Sequence, residues 1–204
     1  MKKHNGMRPQ DVMILLKVAA HAKEIHDYKV SDGQIITGSE NSQLAISRFK
    51  PLSFFNPLPK KVIASELGIS PAEVTESLAR SSYAGLYAPA NQTVKSLALL
   101  DFLQYGLKYV FPQQPGPIAR GIPTAHSAKP LSSLISSKEV YVWPYANGTA
   151  RGQAIEPLYP SVAIAIQNDE RLYELLALTD AIRIGRAREV NLAIEELKKR
   201  ILVN

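Results

Sequence analysis

Eight of the fourteen prolines fall between residues 112 and 160, together with four of the eleven glycines. Proline lacks a backbone donor and clashes with the carbonyl four residues back, so no regular helix can run through that density. The stretch is therefore read as a long irregular segment with short strands at most. Regular helix is confined to what lies before and after it, and the predicted fold class is mainly α.

Apolar spacing locates those helices. Pro9 to Lys23 reads as an amphipathic helix with Val12, Leu15, Leu16 and Ala19 on one face and Pro9 in the first turn. Tyr28 to Phe55 is read as an elaboration within an insertion over about 26–58. Ser31-Asp32-Gly33 there predicts a hairpin between Tyr28-Lys29-Val30 and Gln34-Ile35-Ile36-Thr37, and Pro51, Pro57 and Pro59 lead to the next helix. Val94 to Phe111 places Leu99, Phe102, Leu103, Leu107 and Val110 on one face. Two helices close the chain: Asp169 to Ile184 and Arg186 to Leu202.

The most informative segment is Lys60 to Arg80, KKVIASELGISPAEVTESLAR. Two short helices meeting at a tight turn need a small residue where they cross, and Ala64 provides it. They need a residue that tolerates positive φ in the turn, and Gly68 provides that. Val74 and Leu78 fall on the inner face of the second helix, and Ile69 plugs the gap. Ser70 and Glu73 make a capping-box pattern with Pro71 at the first helical position, so Glu73 is read as a cap partner. These requirements together define a helix-turn-helix over about 60–83; the alternative is a helical hairpin used only for packing.

This segment, with Ala84-Gly85-Leu86-Tyr87 after it and a short hairpin tipped by Pro89-Ala90-Asn91-Gln92, resembles the winged-helix region of MarR-type bacterial transcriptional regulators. The resemblance covers about 9–25 and 60–95. It implies a homodimeric regulator whose second motif helix enters the major groove of double-stranded DNA. The chain departs from that pattern in its long 26–58 connection and its short wing. The C-terminal half resembles only uncharacterised bacterial proteins, so no ligand site is carried over. The expected organisation is a winged-helix DNA-binding domain at 1–111 and a C-terminal part at 112–204. That second part combines the proline-rich segment with two helices used for dimerisation or for binding a partner or effector.

On a docked recognition helix, Ser70, Ala72, Thr75, Glu76 and Ala79 would face the groove, with Arg80 near the DNA backbone. Thr75 can bond a base or touch a thymine methyl, and Glu76 can accept from a cytosine amino group. Lys60 and Lys61 either pair with phosphate or are simply solvated.

The net charge of +6 favours a polyanionic partner without establishing one. With no cysteine, disulfides, thiolate metal sites and thiol redox sensing are excluded. The basic start, Met1-Lys2-Lys3, is followed by no apolar run able to span a bilayer, so a cytoplasmic location without membrane contact is expected.

Other constellations carry less. His126 has no metal-ligand or triad partner at a recognised spacing and is read as a structural hydrogen-bonder. No enzyme, metal or cofactor is expected. Trp143, Tyr145 and Tyr159 in a rigid loop suit a partner interface, an effector pocket or a cap over the helices; the cap is preferred. Arg183, Arg186 and Arg188 could meet phosphate, an acidic partner or the last carbonyls of the preceding helix. The expected function is sequence-specific DNA-binding regulation. The alternative is an antitoxin-like or adaptor protein whose C-terminal half grips another protein.

Overall fold

The structure is a computed structural model, and it describes residues 6–35 and 57–202. Helix α1 (Pro9–Ile35) runs through the middle of the molecule. Val12, Met13, Ile14, Leu15 and Leu16 are all fully buried. Five consecutive buried residues point in every direction around a helix, so α1 is a central rod and not the one-sided amphipathic helix expected. The helices that follow pack around it.

The expected hairpin over 28–37 is replaced by helix as far as Ile35, and residues 36–56 lie outside those described. Extending an existing helix is cheap once it is nucleated, so one glycine at 33 does not stop it. Lys23 pairs with Asp27 at 3.0 Å across one turn, and Arg171 reaches the same carboxylate at 2.9 Å. These pairs fasten the turn of helix that precedes the signal.

Helix α2 (Lys60–Leu67) ends at Gly68, which has φ 63° and ψ 38°. Helix α3 (Pro71–Tyr83) starts from Ser70, whose Oγ accepts the Glu73 N–H at 3.1 Å. Ala64, Ile69, Val74 and Leu78 are buried at the crossing, as their spacing required. The chain then forms a minimal hairpin in which β1 (Tyr87–Ala88) pairs antiparallel with β2 (Thr93–Val94).

The next helical stretch is interrupted. Helix α4 (Ser96–Asp101) passes through a π-turn (Phe102–Gly106) into α5 (Leu107–Val110). Gly106 lies against the Phe102 ring, where a Cβ would approach to 3.0 Å. The inward residues Leu99, Leu103 and Leu107 are buried as expected, whereas Val110 is exposed.

The proline-rich segment is more ordered than its composition suggests. Strands β3 (Ile118–Pro123), β4 (Tyr141–Pro144) and β5 (Ala150–Ala154) each pair with the other two and close a three-stranded barrel. Such a small ring leaves no interior for side chains. A Cβ on Gly121 would lie 2.0 Å from the Trp143 carbonyl oxygen, and one on Gly148 2.2 Å from Gly121 backbone atoms. The glycines that argued against regular structure are what let the strands approach.

A short helix α6 (Val162–Ala165) leads to α7 (Glu170–Ile184) and α8 (Ala187–Ile201). Asp169 caps α7 by accepting the Leu172 N–H at 2.8 Å. Its other oxygen accepts from Lys17 at 2.7 Å, and Lys17 also pairs with Glu66 at 2.5 Å, tying α1, α2 and α7 together. Every residue of α7 from Leu175 to Arg183 is buried. One contiguous apolar core includes α1, α2, α3, the barrel and both final helices. The apolar stripe of α7, expected to seek a second subunit, is therefore covered within the chain. No helix among the described residues is long and apolar enough to cross a membrane.

Candidate nucleic-acid interface

Helix α3 divides into two faces. Val74, Ser77, Leu78, Arg80 and Ser81 turn inward against α1 and α2. Ala72, Thr75, Glu76 and Ala79 are exposed and share the outer side, opposite the buried residues, while Ser70 is exposed at the N-cap, where the helix begins. The structure thus brings four of the sequence-predicted residues onto one face, with Ser70 at its start. Lys60 and Lys61 are exposed at the start of α2.

Two of these side chains have local partners. The Thr75 hydroxyl donates to the Pro71 carbonyl at 3.1 Å, leaving its methyl and oxygen lone pairs outward. Glu76 sits 3.8 Å from an Arg80 nitrogen at its exposed end, a loose pairing that leaves the carboxylate reachable. The remaining outward side chains are small, so the helix backbone itself can come close to a surface.

Arg80 is placed differently from the expectation. It is not directed at a backbone phosphate: its side chain is about 10% exposed, and it forks onto Asp11 of α1. Nε donates to Oδ2 at 2.9 Å and Nη2 to Oδ1 at 2.7 Å, while Nη2 also reaches Glu73 at 2.6 Å. Asp11 is fully buried and receives a further bond from the Arg8 N–H at 2.9 Å. The physical reason is position: Glu73, Ser77 and Arg80 recur at helical spacing on the inner side of α3, facing the first turn of α1. The hydrogen bonds that it donates to these carboxylates hold the guanidinium protonated more firmly than usual, Asp11 first, against the opposing effect of burial.

Glu73 completes only half of the capping box. Its N–H is capped by Ser70, but its carboxylate turns to Arg80 and to Gln10 Nε2 at 3.1 Å. The Arg80 bond holds its carboxyl below the usual carboxylate range. This three-residue network was missed in the sequence. The signal that could have found it is the Glu73–Ser77–Arg80 spacing beside an acidic residue in the first turn of α1.

The barrel side of the molecule is organised around Asp180 of α7. Its Oδ2 accepts from Thr124 Oγ1 at 2.9 Å and from Trp143 Nε1 at 2.6 Å, and its Oδ1 accepts from Arg183 at 2.7 Å. Burial pushes the Asp180 carboxyl upward, opposed by Arg183, Trp143 and Thr124. Trp143 is 2% exposed and stands edge-on to Tyr173, so it caps the helices as preferred. Tyr173 donates to the Pro123 carbonyl at 2.8 Å, and burial pushes its phenol up to about 12.

His126 is buried, with Nε2 2.9 Å from the Glu139 carbonyl oxygen and its ring edge-on to Tyr141. Arg183 bonds the carbonyls of Phe111 and Glu156, each at 3.1 Å. Phe111 follows α5, so Arg183 closes the end of that helix and not the end of its own. Arg186 opens α8, where its N–H donates to Glu189 at 2.5 Å. Arg188 is exposed. These residues have structural partners, with Arg188 outward.

Compared with known proteins, the chain matches no family model, no curated protein and no solved structure. The functional reading rests on the geometry of the site.

Proposed function

We propose that the chain is a sequence-specific double-stranded DNA-binding regulator of transcription, a MarR-like winged helix-turn-helix protein working in the cytoplasm. In this reading α3 is the recognition helix and the β1–β2 hairpin is a short wing. The observation that carries it is the outer face of α3: Ala72, Thr75, Glu76 and Ala79 exposed on one side, with Ser70 exposed at the helix start. A helix with small outward side chains can sit deep in a major groove, and Thr75 and Glu76 supply a hydroxyl and an acceptor for base edges. Lys60 and Lys61 stand at an exposed helix start, suited to phosphate. The reading assigns no catalysis, metal or cofactor.

Operators of two half-sites call for a homodimer. With α7 covered, the support for one lies in the α4–α5 segment, where Leu97, Tyr105 and Tyr109 are 66–82% exposed. Binding to the promoter region of the protein's own gene, measured at several salt concentrations, tests the reading. Thr75→Ala with Glu76→Ala should change which sequence is preferred. Lys60→Ala with Lys61→Ala should weaken all sequences alike and flatten the salt dependence. Unchanged preference in the first variant would remove Thr75 and Glu76 from base readout.

A second reading, an antitoxin-like or adaptor protein, draws on one observation. The outer face of α3 carries an exposed carboxylate, Glu76, and no cation. Such a face also suits a protein partner, and promoter DNA would then bind no better than unrelated DNA.

A further inference from the structure

On the barrel, Arg120 of β3 and Arg151 of β5 are direct cross-strand partners. Residues opposite one another on antiparallel strands place their Cβ atoms about 5 Å apart, and like charges so placed repel. Both arginines are exposed. Neither has a carboxylate within ion-pair distance among the described residues. The two positive charges sit on adjacent strands with no carboxylate among the described residues to offset them.

They also line a common concavity. Ile118, Ala119, Arg120, Thr149, Ala150 and Arg151 border an open cleft of about 480 Å³. Arg120 is steadied there because its Nε donates to the Gly148 carbonyl at 2.8 Å. That bond uses one guanidinium donor and leaves the terminal nitrogens for a ligand. Gly148 is itself packed closely against the Gly121 backbone, so the arginine is held at a tight point of the barrel. Thr149 adds an exposed hydroxyl at the rim.

We propose that this Arg120–Arg151 cleft is an anion site that takes a phosphate group. One guanidinium fork already matches the two oxygens of a carboxylate in a bidentate pair. Two arginines on neighbouring strands lining one cleft, with the Thr149 hydroxyl at its rim, suit the larger number of oxygens on phosphate. The group can belong to a nucleic-acid backbone or to a small phosphorylated compound. The site lies on the barrel and is independent of the α3 reading.

The arginine Nε–H resonances of the full chain, followed by NMR, report on the cleft directly. Two probes are titrated separately: a short DNA duplex of arbitrary sequence and sodium pyrophosphate. The Arg120 and Arg151 signals should shift saturably with at least one. Arg151→Gln, which removes no bond of the fold, should weaken that response about tenfold or more, the loss of a charge-assisted contact. Arg120→Lys keeps the charge but loses the fork and should weaken it as well.

A response to duplex alone assigns the cleft to a phosphodiester backbone; a response to pyrophosphate assigns it to compact phosphates. No saturable shift with either probe, or an undiminished response in Arg151→Gln, overturns the proposal. The Lys60→Ala, Lys61→Ala variant leaves the barrel intact. Cleft signals that respond to pyrophosphate while α3 binds no DNA would refute the recognition-helix reading and leave this one standing.

Discussion

Replacing Arg80 with alanine separates two roles that its position on α3 could have given it. A phosphate-binding arginine would be exposed, and its loss would weaken DNA binding while leaving stability near that of the parent. The arginine seen here holds a fully buried carboxylate, with contacts of 2.9 and 2.7 Å to Asp11. Hydrogen bonds to charged groups contribute about 1.5–3 kcal/mol each, and removing one partner of a buried pair costs about 3–5 kcal/mol. Since whole domains are stable by only about 5–15 kcal/mol, the loss is a substantial share of the total and nearly all of it at the low end of that range. In urea, with a slope of about 2 kcal/mol per molar, the midpoint should fall by about 2 M. Equilibrium denaturation followed by far-ultraviolet circular dichroism measures this. Should Arg80→Ala not fold, the double variant Asp11→Leu, Arg80→Met keeps the test open. An apolar pair of similar volume removes both charges together and should recover much of the loss. An Arg80→Ala protein that unfolds at the parent's urea midpoint would refute the structural assignment.

Four further outcomes follow from the same packing. Gly148→Ala places a Cβ 2.2 Å from Gly121 backbone and should destabilise the barrel by about 1–3 kcal/mol or more, seen as a lower Tm; a parental Tm would refute the close approach. Gly68→Val forces a β-branched residue to φ 63° and should cost about 1–3 kcal/mol, measured by denaturation, with no loss expected if the turn were relaxed. The Ser77 hydroxyl is buried without a hydrogen-bond partner, so Ser77→Ala should be neutral or raise Tm, and a large loss would reveal a bond to it. The Glu73 carboxyl lies below its ordinary value of 4.5, so the folded state binds its proton less readily than the unfolded chain. Its contribution is present above that pH and lost as pH falls through the lowered value, and Glu73→Gln should flatten the acid limb of a Tm–pH curve.

The sequence made some of this legible because those features are local. Gly68 in a left-handed turn, Ser70 capping α3, and Val74 and Leu78 facing inward all follow from chemistry within a few residues of chain. The two final helices were equally readable from their spacing. What escaped depends on contacts distant in sequence. Asp11 and Arg80 are 69 residues apart, and only the fold makes them partners. The barrel was hidden because the residues that build it, closely approaching glycines and prolines, are those that local propensity reads as irregular. The contact of Arg171 with Asp27, 144 residues away on α1, belongs to the same class.

These distant contacts also decide what the outer face of α3 can be. Arg80 and Glu73 anchor the helix to α1 from its inner side, and Val74 and Leu78 seat it on the core. The outer residues are left with no packing task, since none of Ser70, Ala72, Thr75, Glu76 and Ala79 is needed to cover apolar surface. A helix fixed so firmly on one side and so sparsely used on the other is a preorganised surface: little conformational freedom remains to be lost when a partner docks. In the proposed reading, the outward groups able to form directed bonds are Thr75 and Glu76, with Ser70 at the helix start, and Ala72 and Ala79 set how closely the DNA can approach.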